Sequence, residues 1–287
     1  MTKIKYFIQF ILIIILFGLF KILGIKNSSK LSEFLFVLCG PVFRSKKIFE
    51  KNIIKIFPDI DKNKKEEIYK NVWRSYGRIF SEYLFIKDFR FSKNFQNNLI
   101  IKNQNILDEI KNNKEPVIFI SGHFDNFELM AMQIEKSGID LAAIYRPLNN
   151  IFLNPIMENI RKKYICRKQI KKGISGTKQI LKEYKNGASI ALMIDQRVSE
   201  GIQANFFNHK ALTTTIPAQF VKKFNTKIVP IYIERLENNK FKIEVFDPRE
   251  FDSNESVEMI TNKLNKVLED LIKRNPNQWI WTHDRWK

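Results

Sequence analysis

Residues 116–128 read PVIFISGHFDNFE, and the architecture follows from this stretch. Pro116 to Ile120 is a β-branched and aromatic run without a polar interruption, the pattern of a short strand buried on both faces of a sheet. It ends on Ser121-Gly122, and His123 follows directly, at the place where open α/β sheets hold their ligand-facing groups. From Asn126 to Ser137 the period becomes helical, with Asp125 or Asn126 as cap and Glu128 in the first turn. Further out, Ile139 to Tyr145 and Ser189 to Ile194 repeat the buried-strand pattern, with helical stretches at Asn154 to Tyr164 and Thr177 to Tyr184 between them. Strand alternating with helix predicts crossovers, hence an α/β fold with a largely parallel mixed sheet flanked by helices. Lys227 to Glu234 and Lys240 to Phe246 predict two more strands joined by a turn at Glu237 to Asn239, and Glu255 to Lys273 a closing helix.

Upstream the period is helical throughout, at Leu31 to Cys39, Ser45 to Phe57 and Lys64 to Phe85. Met1 to Lys30 contains five Lys and no acid, and from Tyr6 to Ile25 the only strongly polar side chains are Gln9 and Lys21. Twenty residues at about 1.5 Å each reach about 30 Å, the thickness of a bilayer's hydrocarbon. An N-terminal membrane helix, spanning or deeply inserted, is therefore expected. No small-x-small pattern follows Ile25, so the segment is expected to stay on the chain. Lys stands on both sides of it, so charge leaves its orientation open. The expected organisation is an anchor at 1–30, a helical membrane-proximal region at 31–95 and a catalytic α/β domain at 96–287.

The composition excludes disordered and collagen-like chains: hydrophobic residues are 44% of 287, with only 10 Gly and 9 Pro. Forty-nine Lys and Arg against 30 Asp and Glu give a net charge of +19, a field that draws anionic lipid, nucleic acid or acidic protein. Abundant Lys, Asn, Ile and Phe with scarce Ala and Gly is also what A+T-rich coding produces, so the excess alone selects no partner. The basic residues are spread along the chain without a zinc-finger, helix-turn-helix or RNP-like motif, and no nucleic acid is expected as partner. A membrane-tethered nucleic-acid-binding protein stands as the alternative of a different class. Cys39 and Cys166 lie far apart without CxxC spacing, which predicts neither a disulfide framework nor a zinc site.

His123 is one of three histidines, and Glu128 lies five positions on. Five residues turn a regular helix by about 500°, so the two side chains meet only if the chain bends between them. A loop at His123 entering a helix near Asn126 supplies that bend. Glu128 then accepts from one imidazole nitrogen while the other takes a proton from an alcohol, a general-base pair without a protein nucleophile. Asp125 offers a second carboxylate, which leaves the partner of His123 open. HExxH is absent, so no helix-borne zinc site is expected; Ser121 lacks the GxSxG elbow of a hydrolase, and Gly173 to Lys178 lacks phosphate-loop spacing and reads as a loop before a helix.

Five blocks then follow in order behind the hydrophobic helix: GHFDNFE, with HxxxxE spacing; YRPLNN with IRKKY downstream; LMIDQR; FFNHKALTTTIPA; and NPNQWIWTHDRWK. Over nearly the whole chain they resemble the lipid A late acyltransferases, the lauroyl/myristoyl acyltransferase family of the lysophospholipid acyltransferase superfamily. The resemblance implies transfer of a fatty acyl group from an acyl carrier protein thioester to a hydroxyl of an anionic lipid A precursor, on the cytoplasmic face of the inner membrane. It implies acyl carrier protein and the membrane as partners, and no metal, cofactor or covalent intermediate. It implies His123 as the base and Glu128 as its orienting partner, with Arg161 of IRKKY and Asp195 of LMIDQR at functional, substrate-binding positions. Arg146, in YRP, is a further candidate for contact with an anion or thioester. Many members carry HFGNWE where this chain has HFDNFE, and Asp125 is what keeps the choice of partner open. Because HxxxxE is shared more widely, acylation of a glycerophospholipid or other lysolipid is the alternative reaction. Trp279, Trp281 and Trp286, with Arg285 and Lys287, are read as a membrane-interface belt or as core packing.

Overall fold

In the computed structural model, which describes residues 2–287, five helices precede the sheet: α1 (Thr2–Phe43), α2 (Lys46–Ile56), α3 (Lys62–Glu82), α4 (Ile86–Phe91) and α5 (Lys93–Gln96). Asp61 starts α3 by accepting from the Asn63 and Lys64 amides, and Ser45 starts α2 in the same way through Lys47. Gly24 interrupts α1 at φ 69°, a conformation glycine adopts without steric cost. The α/β part then runs β1 (Leu99–Lys102), α6 (Gln104–Asn113), β2 (Ile118–Ser121), α7 (Glu128–Lys136), β3 (Leu141–Tyr145) and α8 (Asn154–Ile160). A π-helical turn at Arg161–Ile165 leads to β4 (Lys168–Lys171), α9 (Ile174–Lys185), β5 (Ser189–Met193), β6 (Ile202–Phe206) and β7 (His209–Thr213). Last come α10 (Ile216–Phe224), β8 (Ile228–Arg235), β9 (Phe241–Val245) and α11 (Val257–Arg274).

Seven strands form one twisted layer in the order β1-β9-β8-β2-β5-β3-β4, with helices packed on it. Only the β8–β9 contact is antiparallel, so the sheet is the largely parallel one that the strand–helix alternation predicts. β2 lies at its centre with all four residues buried, which is why its sequence reads as an unbroken apolar run. β1 and β4 are the edges, and their sequences, LIIK and KQIK, carry lysines that suit a strand open to water on one side. Neither has the continuous apolar signature, and the sequence reading passes over both. It also misses the separate β6–β7 hairpin, whose turn places Phe207 and Asn208 at positive φ without an Asn-Gly pair to announce it.

Trp279 and Trp281 are core residues, packed edge to face at 4.9 Å, and Arg285 is fully buried. Arg285 donates to the Leu212 carbonyl and Thr213 hydroxyl and stacks on Phe206, so the Trp-rich tail closes the core and forms no interfacial belt there.

Beyond Gly24, α1 packs along α3 at backbone distance. Ser32 donates its hydroxyl to the Gly77 carbonyl at 2.6 Å, and a Cβ on Gly77 would lie 2.4 Å from the Ser32 carbonyl oxygen. Gly77→Ala is therefore expected to destabilise the protein by about 1–3 kcal/mol, as overpacking of a tight contact does. Gly18→Ala, where nothing lies within 4 Å of the added methyl and the residue is helical, is expected not to destabilise the protein and to stabilise it by up to about 1 kcal/mol. Thermal unfolding of the two variants in detergent checks this pair of outcomes.

Candidate active site

The site begins with strand register. β2 and β5 are parallel neighbours in which Ile118 faces Ile190 and Ser121 faces Met193. The ladder continues through the Ile194 amide, which donates to the Ser121 carbonyl at 2.9 Å. The same offset carried two residues further sets His123 beside Asp195, both just past the carboxyl ends of central strands. The connection leaving β2 crosses to β3 on one side, and the chain leaving β5 eventually enters β8 on the other. A crevice opens between such strands.

Asp195 is the immediate partner of His123. Its Oδ1 lies 2.8 Å from His123 Nδ1, and its Oδ2 accepts from the His123 amide at 2.8 Å and from Trp279 Nε1 at 2.9 Å. Burial of this carboxyl opposes its ionisation. The nearby imidazole charge and the hydrogen bonds from His123 and Trp279 outweigh that and hold the group at about 2, below its ordinary 3.8. Its ionised form thus favours the folded state above about pH 4, a contribution that fades as pH falls towards 2. A carboxylate only accepts, so Nδ1 carries the proton and Nε2 presents a lone pair. Nε2 has no hydrogen-bond partner among the described residues. The ring is braced edge to face against Phe127 at 4.7 Å.

The two carboxylates expected to compete for His123 are engaged elsewhere, and this corrects the sequence reading. Asp125, at φ 32°, takes its own loop amide from Asn126 at 2.8 Å, Arg235 Nε at 2.8 Å and the Ser75 hydroxyl at 3.1 Å. Arg235 is buried and also donates two hydrogen bonds to Glu82, at 2.7 and 2.8 Å, while Glu82 accepts from Asn126 at 2.8 Å. Burial opposes the Arg235 charge, and the two carboxylates more than restore it, raising its pKa. This ionic knot clamps the His123 loop to the end of α3 and to β8. Glu128 opens α7 and faces Arg161, accepting from Nε at 2.9 Å and Nη2 at 2.6 Å, and it also accepts from the Tyr83 hydroxyl. The loop does bend before the helix as expected, but it turns Glu128 towards Arg161 and not into the imidazole.

His123, Glu128, Arg146 and Arg161 all line one cavity of about 410 Å³, whose apolar wall includes Ala131, Ile144 and Leu192. Asp195 sits behind His123, out of solvent. Arg161 stacks on Tyr145 and Tyr83, and its Nη1 is buried without a hydrogen-bond partner. Arg44, Arg146 and Lys172 also line the cavity, are exposed, and pair with no carboxylate among the described residues. His283 reaches the cavity from the carboxyl-terminal tail, where its Nε2 accepts from the Arg197 amide at 3.0 Å. Burial lowers its pKa to about 4, so it is a neutral wall group. Trp279, Tyr83, Glu82, Arg235 and His283 were not legible as site residues. Glu82 and Tyr83 are brought in by the end of α3, Arg235 by strand order and Trp279 and His283 by the tail, and only the block NPNQWIWTHDRWK hinted at the last of these.

An α/β sheet thus holds a histidine–carboxylate pair at the ends of two central strands, facing a cavity rimmed with cations, an arrangement chemically suited to taking a proton from a hydroxyl or a water. The sequence matches the family described as "Bacterial lipid A biosynthesis acyltransferase" over residues 1–287, and the chain belongs to that family. It is 26% identical over 196 residues to Lipid A biosynthesis acyltransferase 2 of Shigella flexneri. That alignment covers 67% of this chain and 62% of the relative's length.

The tautomer of His123 tests which carboxylate holds it. In Asp195→Asn the amide oxygen still serves the His123 amide and Trp279, and its NH2 is left facing Nδ1. The ring is then expected to switch to the Nε2–H form, as seen in its 15N shifts. Glu128→Gln is expected to leave the Nδ1–H form in place. The reverse pattern would make Glu128 the partner.

Proposed function

We propose that the chain is an O-acyltransferase that moves a fatty acyl group from an acyl carrier protein thioester to a hydroxyl of an anionic lipid A precursor. The observation that carries this reading is the Asp195–His123 pair, its carboxylate buried and Nε2 left open at a cavity that Arg44, Arg146, Arg161 and Lys172 also line. The acceptor hydroxyl gives its proton to Nε2 while its oxygen attacks the thioester carbonyl carbon. Asp195 stabilises the imidazolium that forms. The carbon–sulfur bond then breaks, and the leaving thiolate takes the proton back from His123. The acyl thioester is the only co-substrate the step requires, and no acyl group is passed to the protein.

Arg161, with an unpartnered buried Nη1, suits an oxygen that carries negative charge, and its planar fork is fixed by Glu128 and Tyr83. Glu128 is thus read as positioning the guanidinium. Arg146, with Arg44 and Lys172, supplies charge for the phosphate groups of the acceptor, and the apolar wall receives acyl chain. The apolar α1, with a mean hydropathy of 2.6 over its best window, holds the enzyme at the inner membrane. The catalytic residues would lie on the cytoplasmic face, the side from which a soluble carrier protein reaches them.

Mass spectrometry of lipid A from cells with and without the chain tests the reading. An added acyl chain is expected with the native protein and is expected to vanish with His123→Ala, whose turnover should fall by about 10²- to 10⁴-fold. Arg161→Lys, which keeps the charge and loses the fork, is expected to retain partial activity. Acylation of a lysophospholipid in place of lipid A would move the acceptor to the alternative class. Salt-dependent DNA binding without any transfer would remove the enzyme assignment.

A further inference from the structure

The way α1 lies on the rest of the chain carries information beyond its apolar composition. Along its first half, one face is covered by protein: Phe10, Ile13, Phe17 and Phe20 are half-buried or buried, at helical spacing. Phe17 and Phe20 meet Phe80 of α3, with ring centres 5.0 and 6.3 Å apart. Phe7 and Phe10 meet Phe152, at 5.5 and 6.0 Å. Asn150, itself buried, donates to the Tyr6 carbonyl at 2.9 Å, and Lys21 lies 3.9 Å from Asp88. From Tyr6 to Lys21 the helix is therefore pressed lengthwise against α3, α4 and the 150–152 loop over about 22 Å.

The opposite face is apolar and bare. Ile4, Ile8, Leu12, Ile15 and Ile22 are between 54% and 85% exposed, and the stripe resumes past Gly24 as Phe34, Leu38 and Val42. Ile151, beside Phe152, and Phe91 of α4 add exposed apolar surface on elements that adjoin the helix. A helix standing upright through about 30 Å of hydrocarbon would draw its neighbours in with it, including Lys87, Asp88 and Asn149. Burying those groups in lipid is costly, whereas turning the bare face onto the leaflet buries only hydrocarbon side chains. Lys3, Lys5, Lys26 and Lys30 are exposed, and no acid occurs before Glu33, so the headgroups such a face meets are anionic.

We infer that α1 lies in the plane of an anionic membrane leaflet, its outer face in lipid and its inner face on α3, α4 and the 150–152 loop, and does not cross the bilayer. The loop gripped through Asn150 and Phe152 begins at Arg146, and α1 ends one residue before Arg44. Both arginines line the cavity. An in-plane α1 thus joins the lipid surface to the cavity rim at two points.

The test uses the full chain with Cys39→Ser, which leaves only the buried Cys166, and one new thiol at a time, Lys3→Cys or Lys185→Cys. A membrane-impermeant maleimide is applied to sealed inverted membrane vesicles and to spheroplasts. An in-plane helix leaves both thiols on one side, and both are expected to react in the inverted vesicles alone. Labelling of Lys3→Cys from the opposite side to Lys185→Cys, or only after detergent, overturns the inference. Recovery of the chain as a soluble dimer, with the bare faces covering one another, overturns it as well.

Discussion

One buried carboxylate holds the site together. Asp195 has no water to solvate it, so it is tolerable only with donors on both oxygens, and those donors come from the ends of β2 and from the tail. Meeting that requirement fixes the imidazole plane, its tautomer and the position of Trp279 at once. The parallel register of β2 and β5 makes it possible, because it sets residues 72 apart in sequence side by side without any local motif. The tail is drawn in for the same reason. Trp279 donates to Asp195 and forms an isolated bridge with Phe124, and Asn52 of α2 accepts the chain beyond it by donating to the Trp281 and His283 carbonyls.

The parts of the fold legible in the sequence are those with local causes. β2, β3, β5, β8 and β9 and the helices α7, α8, α9 and α11 are signalled by runs and periods that a window of residues contains, whereas α6 and α10 were passed over. β1 and β4 are edge strands of four residues, and what makes them strands is the neighbour they pair with. In the site, His123 was legible because it ends a buried strand, and Arg161 and Asp195 were marked by family-like blocks. The partner of His123 was not legible. Glu128 and Asp125 are near it in sequence, but proximity along the chain says nothing about where β5 inserts, and β5 enters the sheet between β2 and β3. Glu128 is then free to serve Arg161. Asp125 is consumed by Arg235, a cation whose burial demands two carboxylates and which has no local signal at all.

The Arg235–Glu82–Asp125 cluster also explains how the exposed helix α1 bears on the geometry of the interior site. A buried ion pair gives little net stability, but removing one partner costs about 3–5 kcal/mol, so the three groups hold a fixed arrangement or fail together. Glu82 ends α3, and Ser75, about two turns earlier, donates to Asp125. The same helix receives α1 on its other side through Gly77, Phe80 and Arg78, which pairs with Glu33 at 2.9 Å. α3 is thus a rigid beam with lipid-facing α1 along one flank and the His123 loop along the other. Displacing α1 would be transmitted through packed backbone to the loop amide and imidazole that Asp195 holds. The apolar N-terminal segment is therefore more than a tether, because its inner face is part of the scaffold that orients His123.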